Sequence, residues 1–208
     1  MMLQVRNLSF GYGSRLLFSD LNFAVKPGQL AVVSGPNGVG KSTLLSIIAG
    51  LQNPTSGKID LMSGDPRRHA EYLPAEANGL YLAMSAHENL LFWQRLRHGA
   101  ADHAAISHAL TSWNLNQPWL RFGFPVSKFS TGMKRRLALV RLSLAKVPCW
   151  VMDEPVYGLD EQAIHLFRMI LQNHLAAGGF GIMVSHDQSA MKGLEYQAIT
   201  LGIRGPKS

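Results

Sequence analysis

Cysteine and long apolar runs are scarce in this sequence. Cys149 is the only cysteine among 208 residues, which excludes an internal disulfide framework. No apolar stretch reaches the roughly 18 residues that a membrane-spanning helix needs. The opening stretch, MMLQVRNLSF, alternates between polar and apolar types and lacks the apolar centre of a signal peptide. We therefore expect a cytoplasmic protein without a membrane segment of its own.

Acidic residues are also few. The chain has 13 Asp and Glu against 20 Lys and Arg, and its formal net charge is +7. This balance favours anionic partners, which include phosphorylated ligands, nucleic acid and the surface of an anionic membrane. Charge alone does not distinguish these partners, so the sequence motifs have to decide.

The order of the sequence patterns indicates an α/β protein. Strand patterns occur at 3–10, 16–18, 21–25, 30–34, 57–61, 71–73, 149–153, 180–185 and 196–201, and helical patterns at 41–49, 86–97, 102–114, 132–145 and 162–176. The first three strand patterns predict a small antiparallel sheet. The later strands alternate with helices, which is the order typical of a parallel sheet.

The middle of the chain differs from both ends. Residues 80–146 carry helical patterns and no clear strand, so we interpret them as an insertion. We predict one domain over residues 1–208, in which 1–75 and 147–208 form a catalytic lobe and 76–146 form a helical subdomain. The core sheet should be mostly parallel, with an N-terminal antiparallel β-subdomain beside it.

GPNGVGKS, residues 35–42, has the complete spacing of a phosphate-binding P-loop. The motif follows a predicted strand and opens a predicted helix, where glycines turn backbone N–H groups toward phosphate oxygens. Lys41 would face the β- and γ-phosphates, and Ser42 would offer its hydroxyl to Mg²⁺. The sequence therefore predicts a nucleoside triphosphate site, and a purely structural glycine turn is the alternative. We assign to this site Gly35, Pro36, Asn37, Gly38, Val39, Gly40, Lys41, Ser42 and Thr43.

CWVMDE, residues 149–154, is an apolar strand that ends in two carboxylates. We expect this strand end beside the P-loop strand, with Asp153 holding Mg²⁺ through water and Glu154 polarising the attacking water. Neighbouring strand residues point to opposite faces, but the strand ends here, so both acids can turn inward. An ordinary capped strand end is the alternative interpretation.

The P-loop, the later KFSTGM at 128–133 and the final VMDEP at 151–155 together resemble the ATP-binding-cassette (ABC) ATPases. The resemblance covers essentially the whole chain. It implies the P-loop NTPase fold of ABC type, Mg²⁺-dependent ATP hydrolysis, and a dimer that closes on two ATP molecules. In this family, a signature motif on one copy binds the γ-phosphate of the ATP held by the other. Here that role falls to Ser130, Thr131 and Gly132.

The resemblance implies further site residues. His186 corresponds to the switch histidine near the γ-phosphate and the water beside Glu154. Asp160 lies in the loop that crosses the dimer, and Tyr12 stands where the family stacks an aromatic ring on adenine. A Tyr that merely caps the small sheet is an equal alternative for Tyr12. Glu76 occupies the place of the family's Gln between the two lobes, where a carboxylate could approach Mg²⁺.

The signature also departs from the usual Leu-Ser-Gly-Gly-Gln. Phe129, Thr131 and Met133 replace the Leu, the first Gly and the Gln. Thr131 adds bulk where backbone approaches phosphate, and Met133 cannot make the polar contacts of a Gln. The cationic residues that follow, Arg135, Arg136 and Arg141, are interpreted as a solvated face.

The short chain, the Ser-x-Gly-x-x-Arg-Arg form at 130–136 and the Ala-Ala-Gly-Gly at 176–179 resemble the compact ATP-binding subunits of cytochrome c maturation, or haem exporter, systems. This resemblance implies a peripheral position at the inner face of the cell membrane. Its implied partners are a second copy, or a paralogous ABC domain, and polytopic membrane subunits that meet the helix at 84–93. Direct contact with nucleic acid is not expected.

Four other functions stay open at this point. The chain could power a transporter with another cargo, or act as a soluble ATPase in iron–sulfur assembly. It could work on nucleic acid or ribosomes, although such proteins usually carry two cassettes or a coiled-coil insertion. A nucleotide-binding protein without catalysis is the fourth, and the presence of Lys41, Glu154 and His186 argues against it.

We predict that Lys41→Ala abolishes tight ATP binding, because the loop then lacks the charge that faces the β- and γ-phosphates. Calorimetric titration of the purified chain with ATP measures the affinity directly. An affinity equal to that of the unsubstituted chain would show that this loop does not hold the triphosphate.

Overall fold

The computed structural model describes residues 2–61, 65–75, 79–120 and 123–202. The strands in these ranges are β1 (Leu3–Tyr12), β2 (Arg15–Val25), β3 (Leu30–Ser34), β4 (Ser56–Leu61), β5 (Ala70–Leu73), β6 (Cys149–Asp153), β7 (Phe180–Val184) and β8 (Gln197–Thr200). The α-helices are α1 (Lys41–Ile48), α2 (Pro66–His69), α3 (Ala86–His98), α4 (His103–Ser112), α5 (Thr131–Leu144) and α6 (Glu161–Ala176). Across these same ranges, every helix is too short or too polar to cross a bilayer.

The first sheet is antiparallel and has the order β2-β1-β4. The prediction of separate strands at 16–18 and 21–25 was wrong, because β2 runs through both. Asp20 adopts a left-handed φ of 56°, and Asn7 on the facing strand has a φ of 49°. Asn and Asp tolerate this conformation, so the ladder shifts register and continues. The side chain of Asn22 supports the irregular segment by accepting a hydrogen bond of 2.9 Å from the Asn7 amide.

The second sheet is parallel and has the order β5-β6-β7-β3-β8. All residues of β6 and β7 are buried, as expected for strands covered on both faces. Trp150 and Met152 of β6 pack into the core that also contains residues of α3 to α6. Cys149 and Val151 point to the other core, with α1 and the antiparallel sheet. The predicted α/β fold, with its mostly parallel core sheet, is confirmed.

The carboxyl ends of the parallel strands meet at one edge of the sheet. The P-loop follows β3, the acidic pair follows β6, and His186 follows β7. The prediction that the acidic strand lies beside the P-loop strand was wrong, because β7 separates β6 from β3. This order puts the segment with His186 between the other two.

Helices α3, α4 and α5 lie between β5 and β6 along the chain. Helix α3 begins with a capping box in which Ser85 and Glu88 exchange hydrogen bonds. Helix α5 begins after Ser130, whose Oγ accepts a hydrogen bond of 3.2 Å from the Met133 amide. The division of the chain at residues 75 and 147 into a catalytic lobe and a helical subdomain stays a prediction.

We predict that Gly57→Ala destabilises the fold by about 3 kcal/mol, because strain and a backbone collision add up. Gly57 has a φ of +88°, and an added Cβ would lie 2.3 Å from the Asn7 carbonyl oxygen. Gly13→Ala is the matched control, since Gly13 has a φ of +56° and open space around it. That change should cost only the conformational penalty of about 1 kcal/mol. Urea denaturation of both variants measures the difference, and equal losses would contradict the collision.

Candidate active site

A cavity of about 540 Å³ lies at the edge where the parallel strands end. It brings together ten of the residues predicted from the sequence: Tyr12, Asn37, Gly38, Gly40, Lys41, Ser42, Thr43, Asp153, Glu154 and His186. Sequence reasoning missed four other lining residues, which are Arg15, Leu17, Ala75 and Val184. Arg15 and Leu17 lie on β2, which packs beside the P-loop only in the folded chain.

The P-loop has the backbone geometry that its glycines allow. Gly35 has a φ of +143°, and an added Cβ would lie 2.4 Å from the Leu201 carbonyl oxygen. Gly38 and Gly40 also have positive φ, at +76° and +104°. Gly40 is the N-cap of α1 and, because glycine has no side chain, it cannot accept a hydrogen bond from the first N–H groups of the helix. This arrangement suits a phosphate at the start of α1.

Lys41 crosses this loop and is only 8% exposed. Its Nζ donates hydrogen bonds of 2.8 Å to the Gly35 carbonyl and 3.1 Å to the Pro36 carbonyl. The ammonium group is thus held over the loop at the first residue of α1. A triphosphate in the cavity would meet a positive charge and a helix N-terminus at the same place.

The acidic pair faces the cavity because the chain turns sharply after β6. Asp153 is 3% exposed at the end of the strand, and Glu154 has a left-handed φ of 47°. The Glu154 amide donates a hydrogen bond of 2.9 Å to the Val184 carbonyl on β7. The turn lets both carboxylates line one cavity, which ideal strand geometry would prevent.

Glu154 and His186 contact each other. The His186 amide donates a hydrogen bond of 3.2 Å to Glu154 Oε2, and the imidazole Nε2 lies 3.7 Å from Oε1. Oε1 is buried, and among the described residues it has no hydrogen-bond partner. A buried carboxylate oxygen without a partner is suited to accept a hydrogen bond from a water molecule.

Ser42 and Asp153 supply the oxygens that a Mg²⁺ ion would need. Both line the cavity, one from α1 and one from the end of β6. Mg²⁺ prefers hydroxyl, carboxylate and water oxygens and is usually held by one or two protein groups plus substrate phosphates. The donor set at this position therefore fits the ion. The third predicted metal residue, Glu76, lies outside the described residues.

Tyr12 stands at the rim of the cavity and is 58% exposed. Phe10 meets its ring edge-on, with ring centroids 5.0 Å apart. The side chain of Gln52 donates a hydrogen bond of 3.5 Å to its hydroxyl. An aromatic ring held this way and open on one side offers a surface for a base to stack upon.

The residues of the predicted signature lie outside this cavity. Ser130 and Thr131 are exposed at the N-terminus of α5. Gly132 packs so closely on the next loop that an added Cβ would lie 2.9 Å from the Gly158 carbonyl oxygen. Asp160 caps α6 by accepting a hydrogen bond of 2.9 Å from the Ala163 amide. The structure thus separates these residues from the phosphate loop of their own chain.

The interpretation of three arginines as a solvated face was wrong for two of them. Arg135 and Arg141 are 2% and 6% exposed, because apolar residues surround α5. Arg141 pairs with Glu71 at 3.2 Å and lies 4.7 Å from the centroid of the Trp93 ring. Arg136 remains partly exposed and pairs with Asp160. The available signal was the apolar run LALV, residues 137–140, which lies between the two buried arginines.

Comparison with known proteins agrees with this geometry. A protein-family profile described as ABC transporter matches residues 18–157. The cytochrome c biogenesis ATP-binding export protein CcmA of Methylococcus capsulatus is 41% identical over 190 residues, 87% of this chain and 89% of the relative. The protein of the same name from Vibrio vulnificus is 33% identical over 207 residues, 97% of this chain and 100% of the relative.

Solved structures share the fold. An ATP-binding subunit of an ABC transporter superposes with a TM-score of 0.85 at 27% identity, covering 97% of this chain and 86% of the other. A dimeric ATP-binding cassette in a post-hydrolysis state with ADP and Pi has a TM-score of 0.84 at 20% identity, with 99% of each chain covered. The family match and the full-length relatives are decisive: the chain belongs to the ABC transporter family, as an ATP-hydrolysing subunit.

Proposed function

We propose that this subunit powers an exporter that serves cytochrome c biogenesis and that haem is its cargo. The observation that carries the proposal is the similarity to cytochrome c biogenesis ATP-binding export proteins, which extends over nearly the whole chain at 33% to 41% identity. Haem follows as the cargo because it is the group that becomes attached to c-type cytochromes.

The cavity residues support a mechanism of hydrolysis. The P-loop amides and Lys41 bind the β- and γ-phosphates and stabilise the charge that develops on them. Glu154 would orient a water molecule and polarise it through its buried Oε1. His186, whose Nε2 lies 3.7 Å from that oxygen, would face the same water and the γ-phosphate. Ser42 and Asp153 would hold Mg²⁺, which when bound would neutralise negative charge on the triphosphate.

The exposed signature supports a dimer as the working form. Ser130, Thr131 and Gly132 lie away from the cavity of their own chain, at a helix N-terminus suited to an anion. We infer that they bind the γ-phosphate held by a second copy, with Asp160 near the crossing point. Two ATP molecules would then lie between two copies of the chain.

An apolar patch supports docking on membrane subunits at the inner face of the membrane. Leu82 is 51% exposed and Tyr81 44%, just before α3. The Tyr81 ring packs against Phe92 and Trp93, with ring centroids 4.8 Å and 6.2 Å away, and both are only partly buried. Exposed apolar groups in such a cluster suit the apolar surface of a partner.

We predict that Glu154→Gln lowers the rate of ATP hydrolysis at least about 100-fold while ATP binding persists, because an amide cannot accept a proton from water.

The same variant, tagged and purified from cells solubilised in mild detergent with ATP and Mg²⁺, should retain a polytopic membrane protein that mass spectrometry identifies. Leu82→Glu is the matched control, since a charge in the patch should release the membrane protein without changing ATP affinity.

Deletion of the gene in the source cell tests the cargo. We expect apocytochrome c to accumulate without haem, and the wild-type chain but not Glu154→Gln to restore haem attachment. Normal c-type cytochromes after the deletion would exclude haem as the cargo and leave the transporter function unaffected.

The purification of tagged Glu154→Gln has its own contradicting outcome. Recovery of ribosomes, nucleic acid or iron–sulfur assembly proteins in place of a membrane subunit would contradict a role in transport.

We predict that Ser130→Arg impairs closure of the dimer far more than ATP binding by a single chain, because Ser130 lies outside the cavity that binds ATP. Equilibrium ATP titration and the ATP-dependent dimer fraction in light scattering, the latter in the Glu154→Gln background, separate the two effects. A parallel loss of both quantities would contradict the two-half-site arrangement.

A further inference from the structure

The guanidinium of Arg135 is buried beneath the acidic turn. Its side chain leaves α5 and donates hydrogen bonds to the backbone carbonyls of three successive residues, Asp153, Glu154 and Pro155, the last at 3.0 Å. A further hydrogen bond of 2.7 Å reaches the Pro74 carbonyl just after β5. One planar group thus joins a helix, the end of β6 and the segment that follows β5.

The acidic turn needs such a donor. With Glu154 at a φ of 47°, the chain leaves sheet geometry, and its carbonyls lose the regular ladder partners. Buried carbonyls without donors are costly, and several pointing at one place also repel each other. Arg135 removes both costs with one cation that is 2% exposed.

The cation remains charged in this environment. Burial lowers the pKa of the Arg135 guanidinium to about 10, while the nearby Asp153 and Glu154 carboxylates act in the opposite direction. At neutral pH the side chain therefore carries its proton and keeps its full set of N–H donors.

We infer that Arg135 is a positioning residue for ATP hydrolysis: it holds the turn at residues 153–155 so that the Glu154 carboxylate faces the γ-phosphate. The inference rests on the catalytic role proposed for Glu154. Within the described part of the chain, the hydrogen bonds from Arg135 to the acidic turn go to backbone carbonyls, and Arg135 is absent from the described residues that line the cavity. Its contribution should therefore appear in the chemical step and leave nucleotide binding largely unchanged.

The same contact has a second consequence for the helix that carries it. Helix α5 begins at Thr131, directly after Ser130, and Gly132 packs against the Gly158 carbonyl. Helix α5 thus contacts the segment after β6 at two places, at the acidic turn through Arg135 and at Gly158 through Gly132. A shift of α5 when it meets the phosphate of the second copy would act on the Glu154 of its own chain.

Arg141 offers a matched control on the same helix. It is also buried, and it donates hydrogen bonds to backbone carbonyls, 2.7 Å to Gly79 and 3.1 Å to Tyr72. Its carboxylate partner is Glu71, so none of these contacts touches the acidic turn. Loss of either arginine removes a buried cation from α5, but only the loss of Arg135 releases residues 153–155.

The experiment compares Arg135→Gln, Arg135→Lys, Arg141→Gln and Glu154→Gln with wild type. All are full chains in the form in which the wild type hydrolyses ATP, and kcat, KM and Tm are measured for each. We expect Arg135→Gln to lower kcat about 10- to 100-fold with KM changed less than about threefold, because a small misplacement of the base slows chemistry. Arg141→Gln should lower Tm by a similar amount and keep kcat within about threefold of wild type.

Arg135→Lys keeps the charge and should recover part of kcat, and it preserves the test if Arg135→Gln does not fold. Equal kcat values for Arg135→Gln and Arg141→Gln, or a loss confined to KM, would overturn the positioning role. If Arg135→Gln does not fold, wild-type kcat in Arg135→Lys would overturn it. An active Glu154→Gln would instead overturn the proposed mechanism, so the two failures can be told apart.

Discussion

The parallel sheet ends at one edge, and the backbone groups released there must all find partners. Buried N–H and C=O groups are costly when unpaired, so this edge determines which side chains can stand around it. Lys41 donates to the carbonyls of Gly35 and Pro36, and Arg135 donates to those of the acidic turn. Two buried cations thus donate to the carbonyls, while Gly40, the N-cap of α1, gives the start of the helix no side-chain hydrogen bond, which suits an anionic ligand.

This arrangement explains why two carboxylates can stand beside a phosphate site. Asp153 and Glu154 would repel a triphosphate if no positive charge lay near them. Lys41 lines the same cavity as the two acids, and Arg135 bonds to the backbone beneath them. Both cations are largely out of water, where charges act strongly. The net charge of +7 is therefore less informative than the position of these two cations.

The departures from the usual signature replace polar contacts with packing. A Cβ added at Gly158 would lie 3.5 Å from the Thr131 methyl group. That methyl group therefore faces the loop that contains Gly158 in its own chain. Met133 packs against the main core and is partly buried. Ser130 retains its place as the cap of α5, and Gly132 retains its close approach to Gly158. Helix α5 therefore keeps a polar end while its next turn joins the core.

The sequence by itself determined the sites whose chemistry is local. The P-loop could be identified because eight successive residues contain its glycines, its lysine and its serine, and the acidic pair because it ends an apolar run. Alternating strands and helices were enough for the α/β class. Only the tertiary structure decided that β7 separates β6 from β3, that Asp20 continues β2, and that Arg135 lies beneath the acidic turn. These features depend on contacts between segments that are distant in the sequence. The sequence of a helix does not show whether its arginine is exposed to water or bonded to a buried carbonyl.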